Sequence, residues 1–378
     1  MKKIDLLIKP VSGRCNMHCR YCFYQEHNNK PNQTIMDSNL AEKIVEAAVE
    51  ACEDSGQINF SFQGGEPTLA GLEFYEKFAE CVETRKKTNI GITLTFQTNG
   101  TLLNEKWAEF FKKHNVLVGL SMDGTQLLHD RNRVDVSGNG TWSNIEKNWH
   151  MLQEYQVMTN ILCVITGEHA RHANEIYKNL KQIGAKYLQF IPCLDPDNEE
   201  RGTKKYSLKP DAYEKFLCEL FNLWYLDWRT GNYVGVRLFE DYINLLIGEG
   251  AASCVSNGRC GQYLVVEHDG SVYPCDFYVN DEWKVPKKIQ EVPLKHIYES
   301  SVVTKFINMG KTLPDSCSNC SLMPICGGGC KRDWVINENG EKSNYYCSSI
   351  RGFFEYALYG LNEIVHEEIN ARRIASKI

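Results

Sequence analysis

Eleven of the chain's sixteen cysteines stand in two arrays, and their spacing limits what the chain can fold around. The first array is a C-x3-C-x2-C loop made by Cys15, Cys19 and Cys22. The second lies in the C-terminal third: Cys254, Cys260 and Cys275, then C-x2-C-x5-C-x3-C from Cys317, Cys320, Cys326 and Cys330, then Cys347. Thiolates gathered this closely favour soft metals. Three can hold an iron–sulfur cluster with one iron left open, and eight can hold two complete clusters. Spacing alone leaves zinc open at both arrays, as a knuckle at the first and as four-cysteine structural sites at the second.

Compartment bears on that choice. Met1–Pro10 begins with basic residues, but its apolar run is broken by Lys9 and Pro10 and is too short for a secretory signal. No segment has the uninterrupted apolar length of a membrane span. A cytoplasmic, reducing location is expected, where clustered cysteines bind metal more often than they form disulfides. With 378 residues, 43% of them hydrophobic, the chain can bury a large core, and one large domain plus a smaller one is expected. Its net charge of −6 and isoelectric point near 6.0 argue against a nucleic-acid binder.

Six β-rich runs recur through the first half: 5–10, 57–63, 91–98, 115–121, 159–166 and 186–192. Several are nearly continuous in apolar residues, as expected of parallel strands buried on both faces. Between them lie helical patterns. One follows Asp37, one opens at Asn104, and others cover 142–155 and 173–183, the last ended by Gly184. Alternating strands and helices predict a parallel α/β sheet curled into part of a barrel. The distinctive residues fall after strands: the cysteine triplet, Gly64-Gly65-Glu66-Pro67, Gln97-Thr98-Asn99-Gly100, Ser121-Met122-Asp123-Gly124 and Leu194-Asp195-Pro196. In parallel barrels that edge carries the active site. Residues 205–250 read as a helical bridge. Two short strands, 263–267 and 271–274, flank a His268-Asp269-Gly270 turn, and 349–378 forms a closing helix. Cys52, Cys81, Cys163, Cys193 and Cys218 sit in helix or strand patterns and read as core.

The triplet after a first strand, with Tyr21 just before its third cysteine, resembles the hallmark of the radical S-adenosylmethionine superfamily. Gly64-Gly65-Glu66 is similar to that superfamily's GGE segment. The resemblance implies a partial (β/α)6 TIM-like barrel and a [4Fe-4S] cluster on Cys15, Cys19 and Cys22 whose open iron chelates S-adenosylmethionine. It implies cofactor contacts from Tyr21, Gly65, Ser121, Arg133 and Leu194.

The C-terminal array resembles the SPASM extension of the same superfamily. That likeness implies two auxiliary [4Fe-4S] clusters, one on Cys254, Cys260, Cys275 and Cys330, the other on Cys317, Cys320, Cys326 and Cys347. Gly327-Gly328-Gly329 would let the backbone wrap closely around such a cluster. Domain boundaries follow as 1–235 for the barrel, 236–348 for the cluster domain and 349–378 for the last helix.

Segments such as 62–71, 97–102, 119–124 and 270–278 resemble anaerobic sulfatase-maturating enzymes nearly end to end. These oxidise a cysteine or serine of a sulfatase to Cα-formylglycine. The family's general base falls on Asp276, directly after Cys275. The implied partners are a sulfatase polypeptide with a Cys/Ser-x-Pro/Ala-x-Arg motif and an electron donor such as flavodoxin or ferredoxin, with no nucleic acid or membrane. Competing expectations are another radical peptide modifier, such as a thioether-forming maturase, and an iron–sulfur electron carrier without catalysis.

Overall fold

The computed structural model describes residues 1–24, 34–196, 199–336 and 340–375. The expected closing helix is thus seen as Cys347–Ala375, and its last three residues lie outside the described set. The chain divides into two units. The first comprises 1–122, 129–160 and 261–309, the second 123–128, 161–260 and 310–378.

The first unit is built on strands β1 (Lys3–Lys9), β2 (Gln57–Phe62), β3 (Gly91–Thr98) and β4 (Leu117–Ser121). All pair in parallel and in sequence order. Each matches its expected run to within a few residues. Two of the helices between them begin where cap chemistry placed them. Asp37 accepts the amide of Asn39 at the start of α1 (Ser38–Ala51), and Asn104 accepts that of Trp107 at the start of α3 (Glu105–Lys113), with α2 (Leu72–Arg85) between. Apolar side chains on one face of β2 and β3 pack against α2 and α3. Phe62 meets Tyr75 and Phe78 edge to face, and Phe96 meets Tyr75, Trp107 and Phe111.

Burial on both faces, expected from the apolar runs, fails for β2 and β3. Their side chains alternate between buried and partly exposed. The second face carries a polar ladder in which Asn59 and Thr95 donate to Ser61, and Thr93 donates to Asn59. Serine and threonine tolerate a pleated surface, so an apolar reading of these runs overestimated their cores.

One pairing has no counterpart in the sequence reading. The short hairpin of β8 (Leu264–Glu267) and β9 (Val272–Tyr273), with Gly270 at φ +82° in its turn, joins this sheet. β8 lies parallel to β1, with Leu6 opposite Leu264 and Lys9 opposite Glu267. A segment from the far third of the chain thereby becomes the immediate neighbour of the first strand.

The second unit contains most of β5 (Thr159–Ile165), then β6 (Tyr187–Pro192) and a two-residue β7 (Gly235–Val236), again parallel in sequence order. β7 interrupts the expected helical bridge, dividing it into helices Pro210–Arg229 and Arg237–Ile247. Both pack on the closing helix through Phe221, Phe239, Tyr242, Phe353 and Phe354.

Candidate functional site

In the first unit the cysteine triplet leaves the end of β1 and is strapped on two sides. Gly65 and Glu66 donate their amides to the carbonyls of Ser12 and Arg14, each at 2.8 Å. On the other side, His18 donates to the Val134 carbonyl at 2.8 Å and Arg20 to that of Asn132 at 2.9 Å. The approach on the Gly65 side is so close that a Cβ there would overlap the carbonyl oxygens of Gly13 and Arg14. Residue 65 must therefore be glycine, whatever else it binds.

The thiols face a common interior. The Cys15 thiol is pushed up to about 12, first by burial, then by the Glu66 carboxylate, with Cys19 and Cys22 adding to it. The Cys22 thiol rises to about 11 through burial and then Cys19. Arg133, also buried, donates to the Tyr21 hydroxyl at 3.0 Å and lies close enough to Cys22 to favour its thiolate. Ser121 closes β4 at the same strand edge. The structure thus places Tyr21, Gly65, Ser121 and Arg133 in one unit with the triplet.

Glu66 takes another part. It is fully buried, and its carboxylate accepts the Thr68 amide and hydroxyl, the Thr98 hydroxyl and the Asn99 amide. Four donors consume its acceptor capacity, so this side chain braces the loops that follow β2 and β3.

Asp276 lies one residue after Cys275, beyond β9, in a pocket the sequence did not foretell. Its Oδ1 faces the Lys9 ammonium at 2.5 Å, a charge-assisted contact. Its Oδ2 accepts the hydroxyl of Tyr24. Glu267 shares the same ammonium at 3.4 Å, and the ammonium sits 4.6 Å from the centre of the Tyr24 ring. Lys9 is 2% exposed, Tyr24 and Asp276 5%, and Glu267 7%. Burial works to lower the Lys9 ammonium, but Asp276 and then Glu267 outweigh it and hold it above the usual lysine value. Two carboxylates thus share one lysine, and the enclosure can take up one proton without becoming cationic. Lys9, Tyr24 and Glu267 were missed in the sequence. The available signal was a lysine ending an otherwise apolar strand that was expected to be buried.

The second unit holds seven of the eight C-terminal cysteines, Cys275 being in the first, and also Leu194, two residues beyond β6. Burial first, then the thiols of Cys347, Cys317 and Cys320, raise the Cys326 thiol, which puts these four in mutual electrostatic reach. Cys254 is raised by burial and then by Cys260. Gly327, Gly328 and Gly329 all adopt positive φ, and a Cβ on Gly328 would stand 3.8 Å from the Cys317 sulfur. The left-handed backbone at these three positions, rather than closeness to the thiol, is what favours glycine there. Of the other cysteines, Cys52, Cys81, Cys163 and Cys193 are buried and Cys218 half-buried, in keeping with packing roles.

Among the described residues no three His, Cys, Asp or Glu side chains converge tightly enough for a single metal ion. The donors form all-thiol sets, the soft ligands that iron–sulfur clusters take. The cysteine triplet, and the quartet of Cys317, Cys320, Cys326 and Cys347, therefore fit iron–sulfur clusters.

Comparison with known proteins agrees. Residues 10–180 match the Radical SAM superfamily, and residues 254–321 match SPASM, an iron–sulfur cluster-binding domain. The chain is 43% identical over 359 residues to a cysteine-type anaerobic sulfatase-maturating enzyme of Clostridium novyi, covering 94% of this chain and 95% of that one. It is 33% identical to a serine-type anaerobic sulfatase-maturating enzyme of Klebsiella aerogenes, covering 92% of this chain and 84% of that one. The solved structure of native anSMEcpe with bound AdoMet and Cp18Cys peptide superposes with a TM-score of 0.91 at 42% identity, covering 97% of this chain and 99% of that one. The strands, the thiol sets and these likenesses agree: the chain belongs to the anaerobic sulfatase-maturating enzymes, a radical SAM family with S-adenosylmethionine and iron–sulfur clusters as cofactors.

Proposed function

We propose that this enzyme oxidises a cysteine in a Cys-x-Pro/Ala-x-Arg segment of a sulfatase polypeptide to Cα-formylglycine, with Asp276 as general base. The observation that supports this most is the buried carboxylate of Asp276, immobilised by Lys9 and Tyr24 in the same unit as the cysteine triplet. Cysteine is preferred to serine as substrate because the cysteine-type relative is 43% identical and the serine-type relative 33%.

Bound S-adenosylmethionine and the clusters supply the one-electron chemistry, which removes a Cβ hydrogen atom and the remaining electron. The chain's own residues handle the proton. Asp276 Oδ1 accepts it from the substrate thiol. Tyr24 holds Oδ2, which fixes the rotation of the carboxylate. Before transfer the two carboxylates outnumber the Lys9 ammonium by one charge, and once Asp276 is protonated Lys9 is left paired with Glu267 in a neutral enclosure. Water then converts the thioaldehyde to the aldehyde, with hydrogen sulfide leaving.

Within this reading, Tyr21, Gly65, Ser121, Arg133 and Leu194 contact S-adenosylmethionine, Cys254, Cys260, Cys275 and Cys330 hold the second auxiliary cluster, and a flavodoxin or ferredoxin delivers the electron. The division into 1–235, 236–348 and 349–378 belongs to the same proposal.

The test uses anaerobically reconstituted protein with S-adenosylmethionine, reductant and paired peptides bearing Cys-x-Pro-x-Arg and Ser-x-Pro-x-Arg, read by mass spectrometry. The cysteine peptide should show the mass of the aldehyde product, and sooner than the serine peptide. Release of 5′-deoxyadenosine without any aldehyde would refute the reading. Asp276→Asn should retain cofactor cleavage and lose most aldehyde formation, whereas normal turnover would remove Asp276 as base.

A further inference from the structure

A buried amide network surrounds one of the three N-terminal cysteines, and the proton chemistry above makes no use of it. Cys15 Sγ receives two donors: the Met17 amide at 3.4 Å and the Asn99 side-chain amide at 3.7 Å. Asn99 is 6% exposed, and every polar group of its side chain is engaged. Its Nδ2 also donates to Asn16 Oδ1 at 2.9 Å, and its Oδ1 accepts the Thr101 amide at 3.0 Å and hydroxyl at 2.7 Å. Asn16 closes the ring by donating to the Thr101 hydroxyl at 2.8 Å. The Asn99 backbone is pinned in turn, since its amide donates to Glu66 Oε2 at 2.7 Å. With Oδ1 committed to Thr101, the amide cannot flip, so an N–H rather than a carbonyl is held toward the sulfur.

We propose that Asn99 sets the reduction potential of the cluster on Cys15, Cys19 and Cys22, with Glu66 as the positioning residue that aims it. The inference rests on the reading of these cysteines as cluster ligands. Reduction adds one electron, and part of the added charge resides on the ligand sulfurs. A donor aimed at such a sulfur stabilises the reduced form and raises the potential. The Glu66 carboxylate fixes the Asn99 backbone from the other side. The Asn99 amide stands between these two groups, bonded to Glu66 through its backbone and to Cys15 through its side chain.

The experiment is a redox titration of anaerobically reconstituted holoprotein, followed by electron paramagnetic resonance. The signal used is the one that changes on adding S-adenosylmethionine, which isolates the open cluster from the auxiliary ones. Wild type is compared with Asn99→Asp, which keeps the size but cannot donate, with Asn99→Ala, and with Glu66→Gln. At the wild-type midpoint, both Asn99 variants should show about a tenfold lower ratio of reduced to oxidised cluster, which is about 59 mV for one electron. Glu66→Gln loosens the brace but also removes a nearby negative charge, and these act in opposite directions, so its midpoint should move less than that of either Asn99 variant. In deuterated buffer, pulsed measurements should detect a deuteron coupled to the wild-type cluster that Asn99→Asp lacks. A midpoint unchanged in both Asn99 variants, with the responsive signal intact, overturns the assignment and leaves Asn99 as a loop brace. Absence of a responsive signal in wild type overturns the cluster reading itself.

Discussion

Replacing Lys9 with methionine keeps most of the side-chain volume and removes the ammonium shared by Asp276 and Glu267. The geometry gives the size of the effect. Both carboxylates are more than nine-tenths buried, at 2.5 and 3.4 Å from the nitrogen. Removing one partner of a buried ion pair costs about 3–5 kcal/mol, because the remaining charge has no water to replace it. A buried carboxylate in that position takes up a proton rather than stay charged. At about 1.4 kcal/mol per factor of ten, the affinity of the pair for a proton should rise about a hundredfold or more. Lys9 itself does not titrate in the working range. Its folded value lies above the ordinary 10.5, so its contribution is complete below 10.5 and is lost only as pH rises through that higher value. Any pH dependence in Lys9→Met near neutrality therefore belongs to the carboxylates. The assay counts 5′-deoxyadenosine and aldehyde peptide from one reaction across a pH range of roughly 6–9, which brackets neutrality and stays below the lysine range. Deoxyadenosine release should persist, aldehyde per deoxyadenosine should drop steeply, and the ratio should climb with pH. Adding Glu267→Gln removes the second charge and should restore part of the lost stability in a double-mutant cycle. A Lys9→Met protein with wild-type coupling and a flat pH profile would refute the reasoning.

Three further outcomes follow from the packing and electrostatics. Gly65→Ala forces a methyl into the Gly13 and Arg14 carbonyls, so reconstituted protein should lose the S-adenosylmethionine-responsive cluster signal while Cys347→Ala retains it. Phe96→Ala removes a 2% exposed ring that touches Tyr75, Trp107 and Phe111, and should cost about 3–5 kcal/mol in denaturant unfolding. The Asp269 carboxyl works against its burial and is held at about 2 by the Ser271 amide and by Lys288. A depressed carboxyl stabilises the fold above its unfolded value near 3.8 and loses that contribution as pH falls toward 2, so Asp269→Asn should flatten the acid side of the stability curve between those values.

Much of the local architecture was legible in the amino-acid order. Caps at Asp37 and Asn104 and the apolar runs placed strands and helices because these signals act over a few residues. The cysteine spacing gathered metal-binding sulfurs for the same reason, since C-x3-C-x2-C puts three in one loop whatever surrounds it, while the choice of iron–sulfur over zinc came from the family resemblance. GGE was readable as a motif, but its parts were not. Gly65 is demanded by a close backbone approach, and Glu66 braces the loop that carries Asn99.

Tertiary structure decided what depends on distant segments meeting. Nothing local announces that β8 lies parallel to β1, and that pairing puts Glu267 opposite Lys9. The following turn then delivers Asp276 to Lys9 and Tyr24. A lysine ending an apolar strand is an oddity in the sequence, and only the fold supplies the two carboxylates that make its burial favourable. The polar ladder on β2 and β3 has the same origin, because which face of a strand is filled is settled by what packs on it. Sequence alone grouped the cysteines and placed β1 to β4 in order, since both are written in short-range spacing. Which charges share one buried enclosure required the chain to close on itself across most of its length.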